Sequence, residues 1–262
     1  MITKRSDSKI NKFNNIELRY SKELEYFLKS GDKGVLNGNT WDKAAFEKLI
    51  ERIYDFFPET NGQEIILNFT HRLHYLNKVI ASMYPPNYSV NEDDPSDTVE
   101  LRELRPDAFI IHYWRNIFSL DEIAKTVNLC HEFQHVSQYI NKKDHYLLSR
   151  IIHHLVGGIQ EDCLPTEIDA ERYSKLVIEK MYGKDTTDKW IIAQLKDRPH
   201  VLFMRFKNID LRKEYDMKRE VMNLWKIYRL DKQIENIQRE PKRSDEQERI
   251  LIMYHKVKVS AG

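Results

Sequence analysis

Cysteine is nearly absent from this chain. Its two residues, Cys130 and Cys163 in a length of 262, cannot build a disulfide framework, and both are expected as reduced thiols. Glycine and proline are scarce too, eight of each. That disfavours a turn-rich sandwich and suits a helix-rich protein in which 32% of residues are charged. No stretch nears the roughly 18 apolar residues of a membrane span; the strongest runs, Val201–Met204 and Ile250–Met253, are core-sized. The leading segment MITKRSDSKINKF is basic but has no apolar run of the secretory kind. The expected setting is therefore cytoplasmic, of the source cell or of a host, with no membrane partner. Net charge is missing as well: 42 Lys and Arg face 41 Asp and Glu, which points to neither nucleic acid nor an acidic partner.

What the chain does have is helical periodicity. Residues 16–30 and 41–57 follow helical patterns, the second opened by Asn39 and Thr40 as a capping signal. Ile65, Phe69, Leu73, Leu76, Ile80 and Met83 continue at helical spacing and predict a third helix, ended by Pro85-Pro86. Two β-prone runs, Thr98–Leu104 and Ala108–Trp114, flank Arg105-Pro106-Asp107 and predict a hairpin. A long helix is expected from Ser119, with Asp121 and Glu122 at its start, and another over 144–156. After Gly157-Gly158, Leu164-Pro165-Thr166 begins a further helix. Beyond residue 184 the chain reads as helical and charged. From 196 to 243 there are 14 Lys and Arg against 8 Asp and Glu; with acids interleaved and no binding motif, this is a solvated face rather than a nucleic-acid surface. The stripe Val221, Leu224, Trp225, Tyr228 is expected in a core.

The chemistry lies in His131-Glu132-Phe133-Gln134-His135, an H-E-x-x-H sequence inside the expected helix. Residues four apart sit about 40° apart around a helix and one turn along it, so both imidazoles can grip one metal ion. Glu132, about 100° round, can reach a water on that metal without being a ligand, and zinc lowers the pKa of such a water toward about 7. Cys130 points about 100° from His131 and reads as a small buried hydrophobe. A catalytic zinc usually takes a third protein ligand. Thirty-two residues after His135 stands Glu167-Ile168-Asp169-Ala170-Glu171-Arg172-Tyr173-Ser174, with Thr166 as an expected N-cap. With Glu167 at zero on a helical wheel, Ala170 falls at about 300°, Glu171 at about 40° and Ser174 at about 340°. Two carboxylates and two small residues share a face: Glu167 can reach the metal, while Glu171 orients a ligand imidazole from behind. Asp169, near about 200°, falls on the far side and is excluded as a ligand.

HEFQH followed by PTEIDAERYS resembles the small gluzincin metallopeptidases, whose second motif is a Glu, two residues, an Ala, an acidic or amide residue, then an aromatic and a small residue. The resemblance spans roughly residues 108 to 182. It implies Zn2+ as cofactor, held by His131, His135 and Glu167, with Glu132 as general base and a protein or peptide as substrate. Glu171 would take the supporting place, where the family usually has Asp or Asn. It also implies a strand before the active-site helix, here Ala108–Trp114, forming a sheet edge for an extended substrate.

The fold class expected is helix-dominated α+β: a zincin-like core over 91–185 with a small sheet or hairpin, and helical extensions over 1–90 and 186–262, either as separate parts or as one compact domain. Around the core, Gln138 shares the histidine face and is expected to hydrogen-bond a neighbouring helix. His112 is placed to touch substrate. His71 with His74, and His153 with His154, read as ordinary packed or surface histidines. Tyr173, His200, Tyr254 and His255 are open alternatives for a donor to the reaction's oxyanion. The rival reading is a catalytically silent zincin-like core that binds a protein as a regulator or effector.

Overall fold

The structure is a computed structural model that describes residues 11–13, 15–36, 40–73, 80–87, 96–156, 159, 161–197 and 206–260. It is helix-dominated α+β, with five strands among the described residues, all in one mixed sheet. The described residues fall into two compact units, Met1–Val136 and Ser137–Gly262.

The first unit holds the sheet. β1 (Asn11–Phe13) and β2 (Ile16–Tyr20) are antiparallel, β2 runs parallel to β3 (Ile65–Phe69), and β3 runs parallel to β5 (Phe109–Tyr113). β4 (Ala81–Tyr84) closes the other end, antiparallel to β5, so the order is β1-β2-β3-β5-β4. β3 and β5 are buried at every position, as parallel strands covered on both faces must be.

The expected third helix over 65–83 is therefore not formed. A strand buried on both faces is apolar without alternation, and such a run contains i, i+4 coincidences that imitate a helix. The β-branched Ile65-Ile66 pair, paired on both sides, decides for strand. Leu76 lies outside the described residues. Residues 16–20, expected as helix, are likewise strand. Helix α1 (Lys22–Ser30) starts only after Ser21, whose hydroxyl caps the Leu24 N–H, and it ends at Gly31 with φ +70°.

After the short helix α2 (Lys33–Leu36), α3 (Lys43–Tyr54) is capped by Asp42 rather than by Thr40; the Asp42 carboxylate accepts the Ala45 N–H at 3.0 Å. Asn39 lies outside the described residues. Trp41, one residue before the cap, packs on Phe46 at 5.5 Å between ring centroids, fixing the helix entry as a hydrophobic staple.

The predicted hairpin is also corrected. Residues 96–104 form helix α4 (Ser96–Leu104), with Thr98, Leu101 and Arg102 buried at three- and four-residue spacing. The Arg102 guanidinium donates to the carbonyls of Pro106 at 2.7 Å, Ala108 at 2.9 Å, Pro85 at 2.8 Å and Tyr84 at 3.2 Å. One side chain thereby ties the end of β4 to the turn that enters β5. Only the second run of the supposed hairpin is a strand, and it lies inside the sheet, between β3 and β4, not at its edge.

Tyr20, Phe69 and Tyr113 stack across β2, β3 and β5 at 5.0 and 5.1 Å, and Phe46 and Phe118 pack on Phe69. Helix α5 (Glu122–Asn141) opens at Asp121, whose carboxylate accepts the Ala124 N–H at 2.7 Å, and inserts Phe133 beside Tyr54 and Phe57.

The second unit is helical: α6 (Lys143–Leu155), α7 (Pro165–Tyr182), α8 (Lys184–Asp197), α9 (Met217–Ile227), α10 (Leu230–Arg239) and α11 (Asp245–Ser260). Its core gathers Ile151 and Ile152 with Val221, Trp225, Leu230, Ile234, Ile250 and Tyr254. The stripe expected in a core is there: Val221 and Trp225 are buried and Leu224 packs against the cluster, while Tyr228 stays largely outside. Lys218, Arg219, Lys226 and Arg229 are exposed. Among the described residues, no helix is long and apolar enough to cross a membrane.

Candidate metal centre

Helix α5 runs unbroken from Glu122 to Asn141 and carries the whole H-E-x-x-H sequence in its middle. Phe133 is fully buried against Tyr54 and Phe57, on a face of the helix away from both histidines. Its neighbours in sequence then fall on the remaining faces. His135 and Glu132 are almost buried, at 6% and 7% exposure, and His131 is half-buried. The two Nε2 atoms stand 3.0 Å apart, with the rings nearly perpendicular at 88°. For tetrahedral zinc with nitrogen bonds of 2.0–2.1 Å the ligand nitrogens lie about 3.3 Å apart. The pair is thus set within a few tenths of an ångström of that spacing.

Glu167 lies in the first turn of α7. There the unpaired N–H groups of a helix start favour a carboxylate in its charged, ligating form. Ligand atoms of His131, His135 and Glu167 all lie within 4.8 Å of one another. Two imidazoles and one carboxylate are a donor set that zinc accepts, leaving a coordination position for water or substrate. The residues present fit the ion.

The start of α7 differs from expectation in one detail. Leu164, not Thr166, is the N-cap, and it caps through no side chain; Pro165 holds the first helical position, where its missing N–H costs nothing. Thr166 is drawn inside the helix and fully buried, its hydroxyl 3.1 Å from that of Ser149 on α6. Gln138, in the last turns of α5, donates to the Thr166 carbonyl at 2.9 Å and to the Asp169 carboxylate at 2.8 Å. The expected helix-to-helix role of Gln138 is therefore met. Asp169 is not on a far side, because its carboxylate faces this amide, and it is not one of the three clustered residues. Ala170, Glu171 and Ser174 are buried. Glu171 lines a pocket with Ile168, Arg172 and the 208–213 segment. That segment is lashed to α7 by the buried Lys175, whose amine donates to the carbonyls of Phe206 and Ile209 at 2.8 and 2.7 Å.

Other candidates fall elsewhere. His112 is fully buried inside the sheet, its Nδ1 2.9 Å from the Thr98 hydroxyl and 3.1 Å from the Asn68 amide. It does not face a substrate, because β5 is buried at every position and its two faces are both covered. Tyr254 is buried and stacked on Trp225 at 6.1 Å, so its ring belongs to the helical core. His255 is exposed, Tyr173 is half-buried, and His200 lies outside the described residues. His71 sits in a bend 3.8 Å from Glu23 rather than on a helix, and His74 lies outside the described residues. His153 and His154 on α6 have ring centroids 5.6 Å apart, and the His154 Nδ1 lies 3.2 Å from the Glu246 carboxylate. Cys130 is fully buried, as a small hydrophobe would be, and that burial pushes its thiol pKa well above the ordinary value; it is not one of the three clustered residues.

One neighbour of the site had no signal in the sequence. Tyr113 is fully buried at the end of β5; burial raises its phenol pKa well above the usual value, with the charge of Glu132 the next cause. It lies close enough to feel the carboxylate, and only the strand register brings it there. Compared with known proteins, the chain matches no protein-family model, no curated protein and no solved structure.

Proposed function

We propose that this protein is a zinc-dependent peptidase of the gluzincin kind, acting on a protein or peptide. The observation that carries the proposal is the gathering of ligand atoms from His131, His135 and Glu167 within 4.8 Å, with Glu132 next to the first of them in the same helix. His131, His135 and Glu167 would hold the ion. When bound, zinc would polarise a carbonyl and lower the pKa of a water. Glu132, nearly buried, accepts a proton from the attacking water and passes one to the leaving amine nitrogen. Its burial shields the carboxylate from bulk solvent, so the proton it takes is kept for the leaving group.

An extended substrate needs a strand edge to pair with. β5 is enclosed, so among the described residues the role falls to an end strand of the sheet, and we assign it to β4, the end strand next to β5. Two free cysteines, one buried and one exposed, are consistent with a reducing, cytoplasmic setting.

The test is Glu132→Gln. This variant should retain the metal, because Glu132 is not in the ligand cluster, and lose turnover by about 10²–10⁴-fold. Co-purification with the variant should trap a partner that is found shortened in cells making the wild type. A pure variant that still hydrolyses at the wild-type rate rules out the mechanism, and a trapped partner that stays intact favours a binding protein.

A further inference from the structure

We infer that Gln138 is a positioning residue for the metal site, holding α7 at the rotation that aims Glu167 at the two histidines. The inference rests on the metal reading above and concerns how the third ligand is placed.

Gln138 lies on the same helix as both histidines, seven residues after His131 and so about 20° from it around the axis. It is 1% exposed. Its single amide nitrogen donates to two points on α7, the Thr166 carbonyl at 2.9 Å and the Asp169 carboxylate at 2.8 Å. Those residues are three apart, hence neighbours on one face of α7, and Glu167 stands between them in sequence, about 100° round from Thr166. A helix held at two such points from one side cannot turn about its own axis without breaking both bonds. The 3.1 Å contact between the Thr166 and Ser149 hydroxyls adds a third point, from α6.

The leverage is large. A side-chain tip lies about 5–6 Å from its helix axis, so a turn of α7 by about 20° would carry the Glu167 carboxylate through about 2 Å. Metal–ligand distances tolerate about 0.2 Å. Glutamine suits the task because one nitrogen supplies two hydrogens, and the buried amide keeps its bond to the Thr166 carbonyl away from competing water.

The experiment measures Zn2+ affinity of the full-length chain by competition with a chromophoric chelator. The proteins are the wild type, Gln138→Met, Glu167→Gln and the double variant. Methionine keeps the volume and removes the donors. Gln138→Met should bind zinc about 10–100-fold more weakly than the wild type, the usual loss when a group orienting a ligand is removed. In the Glu167→Gln background the same change should cost less than about threefold, since Gln138 acts through Glu167. An equal loss in both backgrounds, or no loss in either, overturns the inference. Should Gln138→Met fail to fold, Asp169→Ala removes one of the two anchor points at a half-exposed position; a loss of affinity that again vanishes with Glu167→Gln supports the inference, and wild-type affinity overturns it. A wild type that takes up no zinc removes the metal reading together with this one, whereas a tight wild type beside an equally tight Gln138→Met removes this one alone.

Discussion

Replacing Phe133 with alanine should cost about 3–5 kcal/mol of folding stability, and bound zinc should restore a calculable part of it. Phe133 is fully buried, with ring centroids 5.9 Å from Tyr54 and 5.5 Å from Phe57. Truncating a buried phenylalanine loses its transfer free energy and leaves a cavity, about 3–5 kcal/mol together. The two ring contacts lie within the range of aromatic pairs worth about 0.5–1.5 kcal/mol beyond area, which puts this site in the upper half of that interval. Against a total of about 5–15 kcal/mol for a domain, the variant should remain folded but marginal. Phe133 touches neither imidazole by sequence position, lying between Glu132 and Gln134 on another face of α5. Zinc at 100 times its Kd should therefore stabilise variant and wild type alike by about 2.7 kcal/mol. Urea denaturation followed by circular dichroism, with and without zinc, measures both quantities. A cost below about 1 kcal/mol would show that Phe133 is not packed as described. Equal zinc stabilisation of a His135→Ala protein would show that the ion binds elsewhere.

Arg102→Met should destabilise by about 2–6 kcal/mol, because the buried carbonyls of Tyr84 and Ala108 each lose a donor worth about 1–3 kcal/mol. Arg102→Lys should not restore the loss, since a point charge cannot span acceptors that a planar fork reaches; full rescue in a denaturant titration would refute the clamp. For His154, burial and then the Arg150 charge lower the pKa, against the bond from Glu246 and with a smaller push from His153. A neutral ring preferred in the folded state contributes stability above the ordinary value of 6.5 that is lost as pH falls through the lowered folded value. His154→Gln should flatten that acid limb of the stability curve; an unchanged slope below pH 6.5 contradicts it.

How much could be read in advance depended on how each element is buried. Helices α3 and α6 were legible because each hides one face and shows the other, so the apolar period is visible; α5, buried on every side over Glu132–Gln138, and α7 were legible from their start signals, Asp121-Glu122 and Leu164-Pro165. β3 and β5 were harder: both faces are covered, alternation vanishes, and Ile65 and Phe69 fall at helical spacing by coincidence. α4 was read as strand because Thr98, Val99 and Leu101 are β-prone, yet the burial of Thr98, Leu101 and Arg102 follows the helical period. In the site, the i, i+4 histidines and the first-turn Glu167 follow from helix geometry alone. The anchor at Thr166 does not, because Pro165 takes the first helical position and shifts the cap to Leu164. Nor could Tyr113 be read beside Glu132, or His112 sealed in the sheet, since strand order is a long-range property that local patterns do not carry.

Elemental analysis of the purified chain beside His135→Ala tests the shared-ion reading most directly. One equivalent of zinc per wild-type chain, lost in the variant while its circular dichroism is unchanged, is the predicted result. Equal metal in both proteins, or none in the wild type after exposure to zinc, would contradict it.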